Sequence, residues 1–367
     1  MKILEPDAPI KVKSSTNLRF ELMPKFGPTP WLDTKDATVL IEGNFQNAMI
    51  IDEQKKIAKK WITDGYSIIP KLFSDDQIDS TWEEYEKLIK DGIIETEPEK
   101  HGFPGRYLNP HFYSSKIRKM MVDEKLITYL SFILGVKTNP FQSIIGHRAS
   151  EQKTHSDSIH MTTYPGGYMI AAWIAMEDIS ADSGPLVYYP GSHKLPYVYS
   201  SEAGITLEEV KANQDDLYKP YRQKYEPLIE EIIREKKLSE KTFIAKKGDV
   251  LIWHANLLHG GSMCKNFELS RKALVCHYFS ENCLKYHDYT GAMANDFSSI
   301  FQEDLHAQKG FISKYLGKLF GKENSISEAI YLSKYPDVKI SIENGLFRDA
   351  KEHYNLHGKK EGRKWEL

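Results

Sequence analysis

Apolar residues in the first third of the chain recur at helical spacing. Across 52–64, Ile57, Ala58, Trp61 and Ile62 fall on one side, as a period of 3.6 requires. Gly65-Tyr66-Ser67-Ile68-Ile69 predicts a short strand. Ser74-Asp75-Asp76-Gln77 is a capping box, and Ile78, Trp82, Tyr85, Leu88 and Ile89 form the stripe of the helix it opens. A Gly-, Pro- and aromatic-rich loop spans 101–110. Two helical patches follow, 114–121 and 122–134, the second closed by Gly135. Residues 1–48, with prolines at 24, 28 and 30, predict an irregular arm.

From about 138 to 279 the pattern changes to short β-like runs separated by turns: 141–147, 168–176, 185–189, 242–245, 250–253 and 272–279. Such spacing predicts a sandwich or jelly roll. Residues 207–238 break the pattern. They are charged and helix-like, with Val210, Leu217, Tyr221, Tyr225, Leu228, Ile229, Ile232 and Ile233 as apolar members. A helical insertion between strands predicts a lid over the substrate opening. Tyr218, Tyr221, Arg222 and Tyr225 are its candidate substrate contacts, Arg222 for an anionic group. After Phe279 a loop and a helix over 311–320 are expected, then a boundary near 321–325. The chain thus divides into an arm (1–52), a main domain (53–320) carrying the insertion, and a small helical module (325–367). The module is too short for an independent core. It is expected to dock on the chain, to self-associate or to bind a partner.

Composition narrows the class. Apolar residues are 41% and charged residues 27% of 367, as in a soluble globular protein. A net charge of −2 and a pI near 6.7 give no general attraction for nucleic acid or anionic membrane. No apolar run approaches the ~20 residues of a membrane span. Met1 to Asp7 lacks the apolar core of a secretory signal. Three cysteines (Cys264, Cys276, Cys283) make no disulfide framework, which predicts a cytoplasmic protein with buried thiols.

The candidate chemistry lies in His155-Ser156-Asp157 and in the later His259-Gly260-Gly261, followed by Arg271. Two imidazoles and a carboxylate are the donor set of a non-haem iron(II) site, which keeps its other positions open. Residues i and i+2 of a strand share a face, so His155 and Asp157 can both look into a barrel mouth. His254 rivals His259 as the distal ligand. His259 is favoured because two glycines follow it and let the chain pass close to a metal. His147 and His160 are candidates by proximity alone. Arg271 offers a fixed cationic fork for the far carboxylate of a dicarboxylic acid.

Together these motifs resemble the phytanoyl-CoA hydroxylase (phytanoyl-CoA dioxygenase) family of iron(II)- and 2-oxoglutarate-dependent oxygenases. The resemblance covers about residues 53–283. It is carried by His155-x-Asp157, Trp173, Gly184-Pro185-Leu186, Pro190-Gly191-Ser192-His193-Lys194 and Gly248-Asp249. It continues through Trp253-His254, Leu257-Leu258-His259-Gly260, Asn266, Arg271 and Cys276-His277. It implies a double-stranded β-helix (a cupin-like jelly roll with flanking helices), and the helical C-terminal appendage lies outside it. It also implies iron on His155, Asp157 and His259, 2-oxoglutarate on Arg271 beside Trp173, and dioxygen as the oxidant. The interval from His259 to Arg271 is one residue longer than the family spacing, which bears on Ser262 as a cosubstrate contact more than on Arg271. The presence of Asp157 disfavours the family's halogenases. The implied outcome is hydroxylation of an unactivated C–H bond in a small or carrier-linked substrate, with release of succinate and carbon dioxide. His160, Tyr221, Arg222 and Tyr225 are the candidate substrate residues. Rival readings are a cupin-type metalloenzyme that needs no 2-oxoglutarate and a non-catalytic jelly-roll binding protein. The C-terminal stretch, with Tyr335-Pro336-Asp337-Val338, His353-Tyr354 and Glu361-Gly362-Arg363, resembles a short module of bacterial proteins.

Overall fold

The computed structural model describes residues 29–46, 51–98, 101–280 and 283–290, and in the C-terminal stretch 331–332, 334–343, 347 and 350–365. The chain forms two compact units, residues 1–295 and 296–367. The helix expected over 311–320 and the boundary at 321–325 lie outside the described residues. Among those described, no helix is long and apolar enough to cross a membrane.

The first unit is a double-stranded β-helix backed by helices. Its larger sheet holds six strands. In sheet order they are β1 (Tyr66–Ile69), β8 (Val250–His254), β5 (Met169–Ala175), β10 (Ala273–Ser280), β3 (Thr138–Gly146) and β2 (Tyr107–Leu108). The smaller sheet is built from β7 (Lys241–Phe243), β6 (Leu186–Tyr188) and β9 (His259–Gly261). A separate pair joins β11 (Leu284–Tyr286) to β4 (Thr162–Tyr164).

Alternation along the central strands gives the two faces of the larger sheet different tasks. Even-numbered residues Ile170, Ala172, Ile174, Val250, Ile252, Leu274, Cys276 and Tyr278 pack against helical residues such as Trp61, Ile78, Tyr85, Leu130 and Ile133. Odd-numbered Ala171, Trp173, Leu251, Trp253, Ala273 and Phe279 face the barrel interior, where they meet Leu186, Tyr188 and Phe243 of the smaller sheet. The helical layer comprises α2 (Asp52–Asp64), α3 (Asp75–Lys90), α4 (Ser115–Met121) and α5 (Glu124–Leu134). Ser74 caps α3 by the expected box, and Gly135 ends α5 with a left-handed φ of 72°.

Two expectations need correction. The arm is not irregular throughout, because Ala37–Gln46 is a helix and Trp31–Asp33 a 3-10 turn. Trp31, Leu32 and Ile41 are buried in the helical core, and the Trp31 indole donates to the Phe132 carbonyl at 2.8 Å. Beyond Phe279 the chain is not all loop, since Leu284–Tyr286 pairs antiparallel with Thr162–Tyr164.

The insertion is helical as expected, with Leu207–Ala212, a π turn at Tyr221–Tyr225 and Glu226–Glu235. Val210, Tyr221, Tyr225 and Ile229 are buried together with Ile159, Tyr189, Leu258 and Tyr289. Exposing four such side chains costs on the order of 6–12 kcal/mol, as much as the stability of a whole domain. The insertion packs on the barrel through this cluster.

In the second unit the described residues are helical, with Pro336–Glu343 and Ala350–His353. Tyr331, Val338 and Ala350 make a small core, and Arg363 grips Asp337 through two bonds of 2.9 and 2.7 Å.

Candidate metal and cosubstrate site

The alternation of β8 separates the two rival histidines. Trp253 points into the barrel and His254 to the helical side, where His254 Nε2 lies 3.0 Å from Asp33 and Nδ1 accepts from the Asn256 amide at 2.9 Å. The chain turns after His254 and re-enters as β9, which pairs with β6 (His259 opposite Tyr188). On its other edge His259 exchanges two backbone hydrogen bonds of 2.9 Å with His155. The two following glycines have a physical reason. A Cβ on Gly260 would lie 2.8 Å from the Gln152 carbonyl, and one on Gly261 3.0 Å from the Glu151 amide. Their bare backbone lets the segment before His155 lie against β9.

His155, Asp157 and His259 converge, all buried, with one ligand atom of each within 4.8 Å of the others. Asp157 Oδ1 is 3.7 Å from His155 Nε2 and 3.6 Å from His259 Nε2. His155 is not in a strand with Asp157, contrary to the sequence argument. It forms an isolated bridge, and Asp157 opens a 3-10 turn, Asp157–Ile159, capped by Ser156. His155 Nδ1 donates to the Lys153 carbonyl at 2.8 Å and His259 Nδ1 to the Leu257 carbonyl at 2.9 Å, which leaves each Nε2 lone pair free. Burial pushes both imidazoles down to about 4, so near neutral pH they are in the uncharged form that binds metal. The donor set fits an iron(II) ion with nitrogen and oxygen ligands.

Arg271 lies two residues before β10, and the odd-numbered phase of that strand carries it inward. Its guanidinium carbon is 5.5 Å from the Trp173 ring centre, and its backbone amide donates to the His147 carbonyl at 2.7 Å. Its guanidinium makes a weak bond, 3.2 Å to the Arg148 carbonyl, and Nε is buried without a partner among the described residues. Glu177, the nearby carboxylate, is engaged by Ser270 and by the Lys272 amide. Burial lowers the guanidinium to about 10. A desolvated cation without a carboxylate partner among the described residues suits the carboxylate of 2-oxoglutarate.

Ser262 follows β9 directly. Its amide donates to the Pro185 carbonyl at 2.9 Å, continuing β9, so alternation sets Ser262 on the face opposite His259. Of the substrate candidates, His160 and Tyr221 approach the triad side. The His160 ring centre is 6.2 Å from that of His155 and 5.1 Å from that of Tyr221. His160 Nδ1 and the Tyr221 hydroxyl are buried without partners among the described residues. Tyr218, Tyr221 and Tyr289 pack on one another at 5.4–5.8 Å. Arg222 stands apart, half exposed and paired with Asp216. Tyr225 is fully buried, and its hydroxyl accepts from the Ser156 amide at 3.1 Å.

Sequence reasoning gave no role to Trp253 or His277. The Trp253 indole donates to Asp157 Oδ2 at 2.8 Å, and His277 Nε2 is 4.0 Å from the same oxygen. The odd-numbered phase of β8 and β10 is the signal that could have found both. Trp253→Phe keeps the ring that packs 4.9 Å from His259 but removes this donor. Iron(II) affinity is expected to fall about tenfold, the effect typical of lost outer partners of metal ligands. Anaerobic titration measures it, and an unchanged affinity would deny the indole this role.

Comparison with known proteins places the chain in a family. The family model described as phytanoyl-CoA dioxygenase (PhyH) matches residues 61–273, more than half of the chain. The peroxisomal phytanoyl-CoA dioxygenase of Mus musculus is 25% identical over 268 residues, covering 65% of this chain and 70% of that protein. Ectoine dioxygenase of Bordetella parapertussis is 25% identical over 244 residues, covering 62% and 75%. The solved structure of EctD from S. alaskensis with 2-oxoglutarate and 5-hydroxyectoine is 19% identical. Its TM-score is 0.47, and it covers 70% of this chain and 82% of that one. This chain belongs to the phytanoyl-CoA dioxygenase family and is an iron(II)- and 2-oxoglutarate-dependent dioxygenase.

Proposed function

We propose that this dioxygenase hydroxylates an unactivated C–H bond of a small or carrier-linked substrate, with His155, Asp157 and His259 holding iron and Arg271 holding 2-oxoglutarate. The observation that carries the reading is the pairing of a buried His-Asp-His set with a buried Arg271 whose Nε has no partner among the described residues. When bound, iron(II) with 2-oxoglutarate and dioxygen supplies the oxidation, releasing succinate and carbon dioxide. The protein's part is placement and exclusion of water. The Lys153 and Leu257 carbonyls fix the imidazole tautomers, and Trp253 orients Asp157. Trp173 forms one wall beside Arg271, and Phe243 packs edge-on behind it at 5.7 Å.

Substrate meets the wall of His160, Tyr218 and Tyr221 in this reading. The two partnerless polar atoms there support recognition of a neutral hydroxyl or amide, and the tyrosine faces support a flat apolar surface. Arg222, spent on Asp216, no longer argues for an anionic group at this point. A cytoplasmic setting belongs to the same reading, supported by three buried free thiols, and a bacterial one is supported by the resemblance of the C-terminal stretch. Residues 325–367 serve as a surface for self-association or a partner.

The test is anaerobic addition of iron(II) and 2-oxoglutarate, which is expected to give a weak visible charge-transfer band. Succinate release is then followed across a panel of candidate substrates. Absence of the band and of any 2-oxoglutarate consumption in air would reject the reading.

A further inference from the structure

The His-x-Asp segment is held from several directions, and one of the holds comes from the insertion. Ser156 stands between the two ligands. Its hydroxyl donates to the Ala255 carbonyl at 3.1 Å and accepts from the Ser158 amide at 3.1 Å, both within the loops that carry the ligands. Its backbone amide points the other way, to the hydroxyl of Tyr225 at 3.1 Å. Tyr225 is fully buried, stacks on Tyr221 with ring centres 4.7 Å apart, and shares a core with Ile229, Val210 and Leu258. The bond therefore joins a rigid element to the peptide that sets the spacing of His155 and Asp157.

We propose that Tyr225 is a positioning residue for the iron site, acting through the Ser156 amide, and not a substrate contact. The inference rests on the iron reading above. A peptide unit held at its amide cannot rotate freely about the adjoining backbone bonds, so the directions of the side chains on either side are fixed with it. Without the phenol, the Ser156 amide is buried with no acceptor. The segment then relaxes to find one, and the distance between His155 Nε2 and Asp157 Oδ1 is no longer set before metal arrives. The insertion thereby becomes part of the metal site although none of its residues is a ligand.

The experiment compares anaerobic iron(II) binding by the full-length wild type, Tyr225→Phe and Tyr289→Phe. Tyr289→Phe is the control for general loosening, since it deletes a hydroxyl of the same core that donates to the Leu217 carbonyl and does not touch Ser156. Tyr225→Phe is expected to weaken iron(II) binding about 10- to 100-fold, as loss of an outer partner does, and to shift the charge-transfer band with 2-oxoglutarate. Tyr289→Phe is expected to leave both unchanged. A second measurement needs no variant. Because coupling is reciprocal, iron(II) added to the wild type should slow hydrogen exchange in the insertion around residues 221–229. Unchanged iron affinity in Tyr225→Phe, an equal loss in the two variants, or exchange in 221–229 indifferent to iron would each overturn the proposal. Failure of the wild type to bind iron would instead reject the iron reading itself.

Discussion

His259→Ala is expected to abolish iron(II) binding and 2-oxoglutarate turnover, whereas His254→Ala is expected to keep its iron and lose stability. Five residues separate them in sequence, but strand phase divides their tasks. His259 Nε2 faces Asp157 at 3.6 Å with its other nitrogen bound to a carbonyl. His254 spends both nitrogens on Asp33 and on the Asn256 amide. Removing one of three ligands should cost more than the 10–100-fold lost with an outer partner. Removing His254 strands buried polar groups, at about 1–3 kcal/mol. Anaerobic titration and thermal unfolding of the two variants check this. The opposite pattern, with iron lost in His254→Ala and kept in His259→Ala, would move the distal ligand.

Arg271→Ala is expected to raise the 2-oxoglutarate requirement sharply and to leave iron affinity nearly unchanged. The guanidinium is buried over Trp173, with no carboxylate of this chain paired to it among the described residues. Truncating one partner of a buried charge pair costs on the order of 2–5 kcal/mol, roughly thirtyfold or more in affinity. Arg271→Lys is expected to recover only part of the loss, because an ammonium cannot form the two-pronged contact. Titration of 2-oxoglutarate into the iron-loaded protein measures the effect. Parallel loss of iron would mean that the site had collapsed.

The strands around the site were legible because they are apolar on both faces and bounded by turns. The runs expected at 168–176, 250–253 and 272–279 differ from the observed strands by a residue at most at either end. Parity then places Arg271, Trp173 and Trp253 on one face. The three-residue strands Thr162–Tyr164 and Leu284–Tyr286 are too short to show a period, and their pairing is a tertiary event. The N-terminal helix was hidden behind prolines, since its burial depends on Trp31 finding the end of α5. Tyr225 looked like a flat substrate surface because sequence gives the type of side chain and not the amide awaiting it. Both ligand histidines bind a carbonyl two residues earlier, so no particular side chain at 153 or 257 marks the contact.

The bridge between residues 155 and 259 also bears on the order of assembly. It closes a loop that contains two strands of the larger sheet, the whole insertion and most of the smaller sheet. The entropy of closing a loop grows only with the logarithm of its length, so equilibrium stability suffers little from such a distant contact. Rates do depend on it, because contacts remote in sequence form late. His155 and Asp157 are neighbours from the start, whereas His259 meets them only through this bridge, so the three-residue set is complete only once the barrel has closed.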